Sequence, residues 1–234
     1  MAEGGAAVRF ARELDNPPNL AYALVFGAHL QQFLRDAPGL LQQAEAGTAL
    51  ASTLGMTPFV KIGELFQGWA RTESGAVDEG AAQLARVLTR ARERRRPAVM
   101  VAYYLCLLAE SRGRVGDHTE GLAILEVASE MMGVTNERLL ESELHRLKGK
   151  LLLGRSRERW AEAARCFGRA LGVARRQEAR LLELRTATSL ASLWADRGER
   201  QKAHDLLAPV FGWFTEGFDT ADLKEAKALL AELA

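Results

Sequence analysis

The chain repeats itself about every 40 residues, and that period is the strongest limit on what it can fold into. Three stretches, ARTESGAVDEGAAQLARVL, AESRGRVGDHTEGLAILEVA and SLWADRGERQKAHDLLAPV, bring a glycine just ahead of a new apolar-periodic segment. Those glycines, Gly75, Gly116 and Gly198, stand 41 and then 82 residues apart. Small residues keep the same step, at Gly80, Gly121, Ala163 and Ala203 and again at Ala28, Gly68, Ala109, Gly149 and Ala191. A repeat of this length made of two antiparallel helices cannot bury its apolar face alone, so copies must stack into a continuous core. The small residues mark where two helix backbones come closest.

Each repeat reads as helical. Alternating runs of Val, Ile, Thr and aromatics are missing, while Ala, Leu, Arg, Glu and Gln dominate. Apolar residues recur at helical spacing, as in Leu122 and Leu125, or Leu181, Leu184, Ala187 and Leu190. The expected architecture is a right-handed α-solenoid of about five helix pairs, over residues 19-57, 58-97, 98-135, 136-178 and 179-216. A capping helix over 220-233 follows, opened by Asp219 or Thr220 accepting from the first backbone amides. The segment FARELDNPPNL overlays LASTLGMTPFV at an offset of 40. Residues 1-18 are therefore expected to be the end of a preceding repeat helix or a flexible tail, and 19-234 the repeat domain.

One motif argues for a nucleotide site. GKLLLGRS, Gly149 to Ser156, is one letter from the phosphate-binding pattern GxxxxGK[ST], with Arg155 where lysine belongs. That pattern needs a strand before it and a flexible loop through it. The repeat register instead puts Gly149 inside a helix from about Asn136 to Leu153, with three leucines where the loop would be.

The helical pairs resemble tetratricopeptide repeats in their longer form. The tail LLAPVFGWFTEGFDTADLKEAKALLAEL, with ELHRLKGKLLL and LRTATSLASLW, is similar to the C-terminal repeat region of bacterial multidomain regulators. Those proteins join an adenylate/guanylate cyclase or DNA-binding domain to a signalling ATPase domain. The resemblance implies a non-enzymatic protein–protein interaction scaffold or regulatory module. It also implies an alternative, an effector-sensing domain that binds a small molecule or peptide and controls an upstream domain. Cyclase and ATPase motifs do not occur in these residues.

Other chemistry lacks an anchor. His29, His118, His145 and His204 show no metal-ligand spacing, no GxSxG elbow accompanies the serines, and neither Cys106 nor Cys166 has a neighbouring His. No catalytic residue, cofactor or metal is expected. The 31 Lys+Arg balance 30 Asp+Glu for a net charge of +1, so no global field draws the chain to nucleic acid or a membrane. Arg90, Arg92, Arg94, Arg95 and Arg96 form a basic run, read as a solvated helix end opposite a helix dipole. Trp213, Phe214 and Phe218 are read as packing between the last pair and the capping helix. Two cysteines without a disulfide framework and the lack of a signal peptide suit the cytoplasm.

In tetratricopeptide stacks the first helix of each pair lines an inner groove. The resemblance implies that Tyr22, His29, Trp69, Tyr103, Glu110, Glu143, Arg146, Lys150, Arg185 and Ser192 do so here, with Val25, Leu65, Cys106 and Thr188 beside them. The upstream half is aromatic and apolar and the downstream half charged. Such a groove suits a protein or peptide partner, or a neighbouring domain of a longer chain; the alternative is that these charges pair with one another along a solvated face.

Overall fold

The computed structural model describes residues 2–93 and 100–234. Every regular element among them is a helix, and none is long and apolar enough to cross a membrane. Two compact units divide the chain, at residues 1–96 and 97–234.

The first unit holds α1 (Ala2–Glu13), α2 (Pro17–Phe33), α3 (Ala37–Thr53), α4 (Thr57–Glu73) and α5 (Val77–Glu93). The second holds α6 (Val101–Val115), α7 (His118–Thr135), α8 (Glu141–Arg155), a single 3-10 turn at Arg157–Arg159, α9 (Trp160–Arg176), α10 (Arg180–Ala195), α11 (Arg200–Phe211) and α12 (Ala221–Leu233). Within each unit every helix packs on the next, and the first helices also pack on one another: α2 on α4, then α6 on α8, α8 on α10 and α10 on α12. That second row of contacts makes each unit a stack rather than a string of hairpins.

The turns are built to one recipe. Asp15, Arg35, Gly55, Gly75, Gly116, Asn136, Glu178 and Gly198 all have positive φ between 45° and 99°, the left-handed conformation that ends a helix. After most of them the chain doubles back tightly: the amides of Asp36, Met56, Ala76, Asp117, Ala179 and Glu199 donate to carbonyls five residues upstream. A new helix then opens on a cap. The carboxylate or amide oxygens of Asn16, Asp36 and Asp117 accept from Asn19, Gly39 and Glu120 amides. Prolines occupy the first turns of α2, α3 and α4, where no amide donor is required. The beat is half a repeat, about 20 residues, and three of its turn residues are neither glycine nor asparagine.

The small residues mark real close approaches. A Cβ on Gly80 would stand 2.4 Å from the carbonyl oxygen of Gly68 and 2.7 Å from the amide nitrogen of Thr72. One on Gly121 would stand 3.0 Å from the carbonyl oxygen of Ala109. At Gly149 the neighbour is a ring, with Phe167 of α9 2.6 Å from the missing Cβ. Gly149 thus lies within α8 as the register requires, and the nucleotide reading of GKLLLGRS has no loop to stand on. The helix itself begins at Glu141, later than expected. Asn136 terminates α7, and the Glu137 carboxylate accepts from the Met100 amide at 2.6 Å, which holds the intervening segment out of the helix.

Two readings at the ends of elements are corrected. Thr220 is the N-cap of α12, but its hydroxyl donates to the Gly217 carbonyl at 2.7 Å and no side chain caps the helix. Of the aromatic trio, Phe214 packs on the last core cluster, whereas Trp213 and Phe218 stay exposed, Trp213 beneath the Arg180 guanidinium. Arg94, Arg95 and Arg96 lie outside the described residues, as do the side chains of Arg90 and Arg92.

Replacing Gly80 with alanine is expected to lower the stability of the first unit by about 1–3 kcal/mol, because backbone must move to admit the methyl. Gly133 of α7, which has nothing within 4 Å of its Cβ position, is expected to gain about 0.5–1 kcal/mol from the same change. Urea denaturation of both variants measures the contrast, and a change of the same sign at both sites contradicts it.

Candidate functional site

The first-helix residues divide by unit into two kinds of surface. In the first unit, Tyr22, Phe26 and His29 recur on α2 at four and three residues, and Phe59 and Phe66 face them from α4. Tyr22 stacks on Phe26 at 4.3 Å between ring centroids, Phe26 on His29 at 5.2 Å, and Phe59 meets both Tyr22 and Phe26 edge-on. His29 in turn meets the fully buried Phe66 at 4.5 Å. The stripe runs from core to solvent, for Tyr22 is 51% and Phe26 39% exposed. Burial holds His29 at a pKa of about 4, against the raising effect of the Val25 and Phe26 carbonyls. Its imidazole is therefore neutral at physiological pH, part of an aromatic surface rather than a cation. Val25, Leu65 and Trp69, expected along the groove, are buried in the core instead.

In the second unit the charged residues form a buried chain across four helices. Glu110 of α6 lies 3.9 Å from Arg146 of α8. Arg146 grips Glu143, one turn before it, through Nε at 2.9 Å and Nη2 at 2.5 Å. The same carboxylate stands 3.6 Å from Arg185 of α10, and Arg185 closes on Asp222 of α12 through Nη2 at 2.6 Å and Nε at 3.1 Å. Arg146 is 4% exposed and Arg185 8%. Burial would raise the Glu143 pKa, but Arg146 and Arg185 outweigh it and hold the carboxyl down at about 2. Burial opposes the charge on Arg185 as well, and Glu143 and Asp222 together drive its pKa up.

The reason for the burial is the row of first-helix contacts. Tyr103, Cys106, Glu143, Arg146 and Arg185 are buried where α6, α8, α10 and α12 pack on one another, not turned away from that row. Burial pushes the Tyr103 phenol and the Cys106 thiol well up, so neither ionises near neutral pH. Lys150 and Ser192 remain exposed, with Glu110 and Thr188 half-buried between. Crowding of the Lys150 ammonium by surrounding protein, then repulsion from Arg146, lowers its pKa. The charges therefore pair with one another, as one sequence reading allowed, but inside the protein and not along a solvated face. Asp222 and Phe26 were not among the expected residues. The spacing of Phe26 between Tyr22 and His29 was a usable signal, whereas nothing local marks Asp222 as a partner of a residue 37 positions away.

No family model and no curated protein matches the chain. Solved structures do. A point variant of a Podosopora anserina kinesin light chain-type protein with nearly identical TPR-like repeats superposes at a TM-score of 0.58, 16% identical over 83% of this chain and 93% of that one. Another structure of that kind from the same organism gives 0.56 and 15% over 93% and 97%. Bacillus thuringiensis PlcR, in complex with the peptide PapR7 and DNA, gives 0.67 and 11% over 92% of this chain and 74% of that one. The fold is tetratricopeptide-like. Among the described residues no three His, Cys, Asp or Glu side chains gather as a metal site.

Glu143→Gln is expected to cost about 3–5 kcal/mol at pH 7, because it leaves two buried guanidiniums short of a carboxylate. The folded pKa of about 2 lies below the ordinary 4.5, so the carboxylate's contribution is full above about 4.5 and is lost as pH falls toward 2. The gap between wild type and variant in urea denaturation should narrow across that window. A constant gap contradicts the ionic role.

Proposed function

We propose that the chain is a non-enzymatic interaction scaffold that docks a peptide or helix with apolar anchors. The observation that carries this reading is the exposed aromatic stripe of Tyr22 and Phe26, backed by Phe59 and His29. Large exposed aromatics in a contiguous row are uncommon on a surface without a partner, and they are the side chains that dominate binding energy when one arrives. A rigid first-helix face also suits an amphipathic helix or an extended segment read at alternate positions. Lys150 and Ser192 would offer polar contacts of their own in the second unit, with Arg146 and Arg185 as buried support there.

A second reading draws on the likeness to PlcR, a protein seen with a peptide and DNA. In that reading the chain is a regulatory module of a longer bacterial signalling protein in the cytoplasm, with a peptide or small effector acting on a neighbouring domain. Both readings leave out nucleic acid and membrane, since a net charge of +1 supplies no global field to draw them.

Selection of displayed peptides on the immobilised protein tests the scaffold reading. Enriched peptides are expected to carry two or three aromatic or aliphatic anchors, and to bind a Tyr22→Ala/Phe26→Ala variant at least about tenfold more weakly. Equal binding by the variant, with helicity unchanged, overturns the proposal.

A further inference from the structure

The second unit carries a basic cleft on the side of α8 away from the buried ion chain. It is an open cleft of about 440 Å³ between α7, α8 and α9, within the size range of small-molecule sites. Lys148, Leu152 and Arg155 reach it from α8 at four- and three-residue steps, and Glu162, Arg165, Cys166 and Arg169 line it from α9 on one helical face. Leu122 and Leu152 give it an apolar floor.

Its charge is unbalanced. Lys148 pairs with Glu126 at 2.5 Å, and Arg159 pairs with Glu162 at 2.6 Å. Among the described residues those two carboxylates are the only ones lining the cleft. Arg155, Arg165 and Arg169 are exposed, and Arg165 acts electrostatically on Glu162, one turn before it on α9. Five cationic side chains, Lys148, Arg155, Arg159, Arg165 and Arg169, thus converge on one concave space against two carboxylates. Helix surfaces ordinarily intersperse the two signs, and planar guanidiniums take oxyanions two bonds at a time.

We propose that this cleft binds a compact, multiply charged oxyanion of about three negative charges, a phosphate ester or a polycarboxylate, since five cationic side chains there face two carboxylates. The site is separate from the aromatic stripe and does not depend on the scaffold reading. Volume and charge favour a small anion over an acidic polypeptide, because the cationic groups are gathered around one cavity and not strung along a track. Cys166 acts as a built-in reporter: it is half-buried in the cleft wall, whereas Cys106 is fully buried.

The test follows alkylation of Cys166 by iodoacetamide, an uncharged reagent, in the presence of pyrophosphate, of citrate, or of a polyglutamate peptide. Pyrophosphate, citrate or both should slow the reaction, at a half-protecting concentration that rises with salt; which anion protects at lower concentration distinguishes phosphoryl from carboxylate ligands. The triple variant Arg155→Gln/Arg165→Gln/Arg169→Gln should need at least about tenfold more anion. Each single replacement should weaken protection in the same direction, which keeps the test decisive if the triple variant folds poorly. Arg176→Gln, on α9 but outside the cleft, should behave as wild type. Absence of protection by either small anion, unchanged protection in the variants, an equal loss in Arg176→Gln, or protection by polyglutamate alone overturns the proposal.

Discussion

In the second unit one carboxylate, Glu143, stands between two buried guanidiniums, Arg146 and Arg185. A helix hairpin of this repeat buries apolar surface between its own two members, but successive hairpins must also be held in register. Apolar contact is non-directional and leaves first helices able to slide. A chain of charges from Glu110 through Arg146, Glu143 and Arg185 to Asp222 fixes α6, α8, α10 and α12 at defined heights, since each ion must meet its partner to offset the cost of leaving water. The last helix joins this row through Asp222, which sits in its first turn and is 3% exposed.

The first unit solves the same problem without charge. There the seam between α2 and α4 is filled by rings, and the neutral His29 belongs to that filling. Because its folded pKa is depressed to about 4, its contribution is present above the ordinary value of 6.5 and fades as pH falls toward 4. The two groups respond to acid in successive windows, His29 as pH falls from 6.5 toward 4 and Glu143 from 4.5 toward 2. The aromatic seam also spills onto the surface where the ionic one does not, which is why the candidate docking face lies in the first unit.

Much of the fold was legible in the residues. Gly75, Gly116 and Gly198 announced their turns because glycine is the residue that enters left-handed backbone without strain, and Gly68 with Gly80 announced a backbone contact that the structure places at van der Waals limits. Asp15, Arg35 and Glu178 did not announce theirs, since side chains of that kind reveal little about φ. The site was harder. Periodicity locates a residue on a helix face, but whether that face meets solvent or a neighbouring first helix depends on how tightly the row packs. Arg146 and Lys150, one turn apart on the same helix, fall on opposite sides of that distinction.

A double-mutant cycle on Arg185 and Asp222 tests the ionic register most directly. Urea denaturation of Arg185→Met, Asp222→Leu and the combined variant measures how far the two sites depend on each other. Each single change should be strongly destabilising and the double change much less so than their sum, with a coupling above about 1 kcal/mol. Additive losses would show that the pair is an incidental contact and that packing alone sets the stack.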